Sequence, residues 1–160
     1  MQNTSISLPL YSLIGISLRT SNADPNVMQD IGTHWQRFYS EKIMDKIPNK
    51  ADGNGAGVAT SILALYTDYE GDFMKPYSLI LGCRVSSIDD VPNGMIAKSI
   101  PAMNYSLFTA KGKMPDCIMQ TWQQIWKSDI KRAYKFDFEV YGEKSHNPEN
   151  AEVEIYISVK

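Results

Sequence analysis

The residues best suited to chemistry lie together near the C-terminus, in the stretch KFDFEVYG at positions 135–142. Alternation along it sets Phe136, Phe138 and Val140 on one side of a strand and Asp137, Glu139 and Tyr141 on the other. An acid on the watered face of an antiparallel strand is ordinary. In a cleft it is not, because a carboxylate taken out of water is disfavoured in its charged form unless something compensates. Asp137, Glu139 and Glu154 fall on two strands expected to pair and could share a face, which keeps acid–base chemistry open.

Aromatic residues fall on the expected strands and helices of both halves: Tyr66, Tyr69, Tyr77, Tyr105, Trp122, Trp126, Tyr141 and Tyr156. Aligning the two hairpins of the chain on Tyr69 and Tyr141 matches Thr67 with Glu139, so Thr67, Tyr69, Glu139 and Tyr141 are expected to converge as an aromatic pocket with one acid. A bound cation would compensate that acid, and each desolvated aromatic face adds roughly 0.5–2 kcal/mol of attraction for it. The expected ligand is a hydrophobic, cationic or flat aromatic small molecule. Tyr105, Trp122, Trp126, Trp35 and Tyr39 complete the set of expected lining residues, with Trp122 and Trp126 placed to report occupancy by fluorescence.

Other chemistries find less support. Gly53, Gly55 and Gly57 lack the flanking strand, helix and Lys-Ser/Thr ending of a phosphate-binding loop and read as a connection that could move over a cleft mouth. His34 and His146 are far apart in sequence, so neither a metal site nor a cofactor is expected. No G-x-S-x-G elbow presents a nucleophile. The net charge of −2 lacks the basic field that nucleic-acid binding requires. The densest basic group, KSDIKRAYK at 127–135, reads as a solvated helix end and loop. Cys83 and Cys117 read as reduced core residues, and the apolar opening contains Pro9 and is too short to span a membrane. With no signal sequence or disulfide framework, a cytoplasmic protein is expected.

The elements that must position these residues repeat. Leu10 to Thr20 reads as a strand; Asp24 and Pro25 suit a helix start. Val27, Ile31, Trp35, Phe38, Ile43 and Ile47 carry one apolar stripe to position 47. After the glycine-rich linker, ILALYTDY and YSLILGCRVS form a hairpin joined by EGDFMKP. The order recurs: 94–112 extended, 115–128 helical, then FDFEVYG and AEVEIYISV as the closing hairpin. The expected fold is α+β, one domain over 1–160 made from a tandem βαββ duplication with pseudo-repeats at about 8–90 and 91–160, and a ligand cleft at the pseudo-two-fold. At 160 residues such a domain buries enough apolar surface to fold unaided.

The segments LIGISLRTSN, IGTHWQRFY, LYTDYEGD, YSLILGCRV, AKG, WQQIW, DFEVYG and AEVEIYISVK, in this order, resemble the GyrI-like small-molecule-binding domain, also called the AraC effector-binding domain. The resemblance spans nearly the whole chain. It implies a bacterial drug or effector sensor, or a sequestering protein, with a cleft between two modules and a glutamate on the penultimate strand, here Glu139. It also implies the stand-alone form, since only about nine residues precede the first expected strand. Some relatives modulate DNA gyrase. Others hydrolyse cyclopropane-bearing alkylating toxins, and in that alternative Glu139 would activate water, with Tyr141 or Tyr69 orienting it.

Overall fold

The computed structural model describes residues 4–51 and 61–160, so the glycine run at 53–57 lies outside the described residues. The chain runs β1 (Thr4–Leu8), β2 (Tyr11–Thr20), α1 (Val27–Ser40), α2 (Ile43–Lys46), β3 (Ile62–Thr67), β4 (Tyr77–Val85), β5 (Ile96–Ile100), β6 (Met103–Gly112), α3 (Asp116–Lys127), β7 (Phe136–Tyr141) and β8 (Ala151–Ser158). The strands form one antiparallel sheet in the order β1-β6-β8-β7-β3-β4-β2-β5. Exchanging the first four strands for the last four reproduces this order read backwards. The sheet therefore has a pseudo-two-fold axis between β3 and β7, as expected of a duplicated α+β unit.

Connection length dictates the shape. β1 and β2 stand first and seventh in the sheet, yet only Pro9 and Leu10 join them; β5 and β6 stand eighth and second, joined by Pro101 and Ala102. In a flat sheet six strand spacings would separate each pair by about 29 Å. Two linking residues reach about a third of that. The sheet must curl until its flanks meet, and the side chains show it: the ring of Tyr11 on β2 lies 5.8 Å from Phe138 on β7, across two intervening strands. Tyr11, Leu13, Leu63, Leu65, Ile80, Ile100, Tyr105 and Phe138 fill the inside of the curl.

The other face carries the helices. α1 and α2 set Phe38, Ile43 and Ile47 on Ile14, Ile16, Leu79 and Leu81, while α3 sets Cys117 and Ile125 on Phe108, Val153, Ile155 and Ile157. Tyr141 packs against both clusters, so it stands where the two helical halves meet. No helix among the described residues is long and apolar enough to cross a membrane.

Three expectations about elements change. The helix from Asp24 begins only at Val27, because the Asp24 carboxylate accepts the Asn26 amide in a tight turn (2.8 Å). It does not continue unbroken to Ile47: Lys42 takes a left-handed conformation (φ 51°), and the bend returns Ile43 and Ile47 to the sheet. Each half also has an additional edge strand. Thr4–Leu8 pairs with β6, and Pro101 divides the extended 94–112 segment into β5 and β6.

The curl leaves no room for side chains where Gly15 and Gly82 face each other on β2 and β4. A Cβ on Gly82 would lie 2.1 Å from the carbonyl oxygen of Ile14, and one on Gly15 2.1 Å from that of Leu81. Backbone cannot yield as a side chain can, which is why glycine marks such close approaches. Gly82→Ala is expected to cost about 1–3 kcal/mol or more, measured by chemical denaturation, whereas Gly32→Ala, at an open helical position, should stabilise or do nothing.

Candidate functional site

Register places the acids. β7 pairs with β3 so that Glu139 faces Ala64, Asp137 faces Tyr66 and Tyr141 faces Ile62, all on the helix-bearing side. On the other flank Glu139 faces Ile155. Glu139 is 2% exposed. Trp122 of α3 donates its indole N–H to Oε2 (2.6 Å), and Tyr141, two residues along the same strand face, donates its hydroxyl to Oε1 (2.7 Å). The Tyr66 hydroxyl supplies a further hydrogen bond. Burial raises the carboxyl above its usual range, against the opposing pull of the three donors. All of these donors are neutral, so the charge, when present, has no counter-ion among them.

Asp137, on the same face two residues away, is the opposite case. It is fully buried, and Oδ2 accepts from Arg132 Nη2 (2.8 Å) and the Tyr69 hydroxyl (2.6 Å), while Oδ1 accepts from the Ser158 amide (2.7 Å) and hydroxyl (3.0 Å). Its charge and its lone pairs are both satisfied. Arg132 is 7% exposed and lies over the rings of Tyr134 (4.3 Å) and Trp122 (5.9 Å). KSDIKRAYK is therefore not simply a solvated stretch: the chain bridges back to Val159 at Arg132 and turns this guanidinium inward.

Aromatic rings run outward from the two acids. Trp122 touches Tyr66 (5.4 Å) and Trp126 (6.4 Å), and Trp126 stacks on Phe73 (5.5 Å) from the β3–β4 turn. That turn is tied down by Asn22 and Ser21, which donate to the carbonyls of Phe73 and Met74. Tyr69 joins Tyr77 and Tyr134. On the opposite side Tyr141 meets Trp35 (4.9 Å), and Trp35 stacks on Tyr39, which is 61% exposed. Beside Tyr39 the α1–α2 bend forms a surface hollow of about 200 Å³ lined by Phe38, Tyr39, Lys42, Met44 and Asp45. A continuous line of rings thus leads from the surface to Glu139.

Not every expected lining residue is here. Thr67 lies on the other face of β3 and donates to the Lys135 carbonyl (2.8 Å), because aligning Tyr69 with Tyr141 is wrong by an odd number of residues. A two-fold axis normal to the sheet preserves faces, so the partner of Glu139 must come from Ile62, Ala64 and Tyr66. Asp68, at φ 52°, breaks the alternation and brings Tyr69 back to the Tyr66 side. Tyr105 lies within the curl, stacked edge-on to Phe138 and Tyr156. Glu154 faces Val140, which removes it from the face of Asp137 and Glu139. His34 is buried and bonded through Nε2 to the Ile16 carbonyl (3.1 Å), whereas His146 is exposed in a loop.

Arg132, Tyr134 and Phe73 were missed. Phe73 sits in a turn and Arg132 in a charged run, and neither pattern carries a burial signal. Tyr66 could have been found by parity with Ala64.

The chain is thus an α+β duplication with a buried acid ringed by aromatics. The chain matches the integron-associated effector-binding protein family, Cass2, over residues 6–159, and belongs to that family. It is 29% identical to YobU of Bacillus subtilis (strain 168), whose name assigns it provisionally to transcriptional regulation, over 96% of this chain and 94% of YobU. Among solved structures it is similar to the Vibrio cholerae integron cassette protein VCH_CASS2, at 26% identity and a TM-score of 0.72, covering 99% of this chain and 95% of that one. It also shares the fold of SAV2435 bound to tetraphenylphosphonium, at 23% identity and a TM-score of 0.79, covering 100% and 94%.

Two stability measurements test this electrostatic account. Arg132→Met strands a buried charge on Asp137 and is expected to cost about 3–5 kcal/mol, part of which Asp137→Leu in the same chain should restore. For Glu139, a carboxyl raised in the folded state contributes stability that is full below its unfolded pKa and lost as pH rises through the folded value. Glu139→Gln removes that loss. Its melting temperature should exceed that of the wild type at neutral pH, with the gap closing as the pH falls towards 4.

Proposed function

We propose that this effector-binding domain captures hydrophobic, cationic aromatic small molecules between α1 and α3, with Glu139 as the charge partner, and that it acts as a drug or effector sensor or as a sequestering protein of the GyrI-like kind. One observation carries the reading. Glu139 is buried among Trp122, Tyr141 and Tyr66 with hydrogen-bond donors but no counter-ion, while its neighbour Asp137 has both. A domain that needed these acids solely for structure would satisfy both in the same way. A cation supplies what Glu139 lacks, and the surrounding rings supply faces for it.

The relatives agree in kind. SAV2435 was solved with tetraphenylphosphonium, a lipophilic cation, and the name of YobU points to regulation. Of the groups on Glu139, Trp122 is the one that comes from a helix rather than from the sheet, so it is the one that can yield Oε2 to a ligand. The line Tyr39–Trp35–Tyr141 offers access from the hollow at the α1–α2 bend.

The test compares tetraphenylphosphonium with its neutral analogue tetraphenylmethane or a soluble derivative, read by tryptophan fluorescence and calorimetry. Affinity for the cation should rise with pH as Glu139 ionises, with a proton released to buffer on binding, and affinity for the neutral compound should not change. Glu139→Gln should weaken the cation by about tenfold or more and leave the neutral compound unaffected. Equal losses for both compounds, or no pH dependence for the cation, would defeat the proposal.

A further inference from the structure

Arg132 is buried, yet its Nε and Nη1 have no hydrogen-bond partner among the described residues; Asp137 engages Nη2 alone. Asp137 has no capacity left to take a second guanidinium nitrogen, because Tyr69 and Ser158 fill its remaining positions. Arginine normally spends its guanidinium N–H groups on oxyanions or carbonyls, so buried Nε and Nη1 donors left idle on either side of the engaged Nη2 are each open to an acceptor oxygen.

Its location joins it to Glu139. The indole of Trp122 donates to Glu139 and presents its ring to Arg132, so one side chain covers both groups. Asp137 and Glu139 stand two residues, roughly 7 Å, apart on one strand face, and Arg132 is bonded to the first of them. A ligand that takes the place of the Trp122 ring lies between the Glu139 carboxylate and a guanidinium with idle donors.

We propose that the site is dipolar: Glu139 receives the cationic end of the ligand and an idle N–H of Arg132, on Nε or Nη1, receives a carboxylate oxygen, so the preferred ligand is an aromatic zwitterion whose carboxylate lies within about one ring's width of the positive charge. This rests on the cation reading of Glu139 and narrows it. A pocket with a single acid makes the opposite choice. Between a zwitterion and its ester of the same ring system, it prefers the ester, which has greater net positive charge and is more apolar.

Rhodamine B, whose carboxylate is free, and its ethyl ester form such a pair, and their binding is followed by fluorescence anisotropy with the full chain at neutral pH. The wild type should bind rhodamine B roughly tenfold more tightly than the ester. Arg132→Lys keeps a positive charge beside Asp137 but loses the Nε and Nη1 donors, and it should abolish that preference while still binding both dyes. Should Arg132→Lys fail to fold, as judged by near-ultraviolet circular dichroism, the wild-type preference alone decides the matter. Equal affinities, tighter binding of the ester, or a folded Arg132→Lys that keeps the preference overturns the dipolar site. If Glu139→Gln weakens both dyes in any of these cases, the cation reading survives without it. If Glu139→Gln weakens neither, or neither dye binds the wild type, both readings fall.

Discussion

Two connections of two residues each, Pro9–Leu10 and Pro101–Ala102, govern this molecule, because each must join strands that lie six positions apart in the sheet. No flat arrangement satisfies that length, so the sheet curls and its inner face becomes a closed apolar interior filled by its own side chains. The outer face, convex and still largely apolar, is left for the helices. α1 covers one half and α3 the other, and between them the central pair β3–β7 is covered by aromatic side chains rather than by helix backbone. That aromatic seam is a consequence of covering the two halves of the sheet with separate helices.

At that place the duplication is symmetric in backbone and asymmetric in chemistry. β7 presents Asp137, Glu139 and Tyr141 where β3 presents Ile62, Ala64 and Tyr66. A small, neutral Ala64 directly opposite Glu139 offers the carboxylate no counter-charge, and burial then works against its charge. Two residues away the same strand buries a second carboxylate at no such disadvantage, since Arg132, Tyr69 and Ser158 converge on it. The contrast separates an acid that has a counter-ion from one that has neutral donors alone.

Much of this was legible in the residues. The alternating run 136–141, the apolar stripe of α1 and the repeated strand-helix-hairpin order reflect local periodicity, which burial imposes directly on sequence. Glu139, Tyr141, Trp122 and Tyr69 were found together for that reason. What failed was register across the repeat. Asp68 in a left-handed conformation adds an irregular step between β3 and Tyr69, and a one-residue slip moves a side chain to the opposite face, as it did for Thr67. The edge strands β1 and β5 were obscured because a proline at each corner reads as the end of an element rather than as a hinge between two.

The sequence by itself determined the main strands and helices, that the chain is built twice over, and that Asp137 and Glu139 share one face of the closing hairpin, because these follow from spacing within short segments. Tertiary structure alone decided that Asp137 is neutralised and Glu139 is not, that Arg132 turns inward from a charged run, and that Phe73 reaches Trp126. Each of those depends on where distant segments meet, and the curl forced by two short corners sets those meetings in a way that no local pattern encodes.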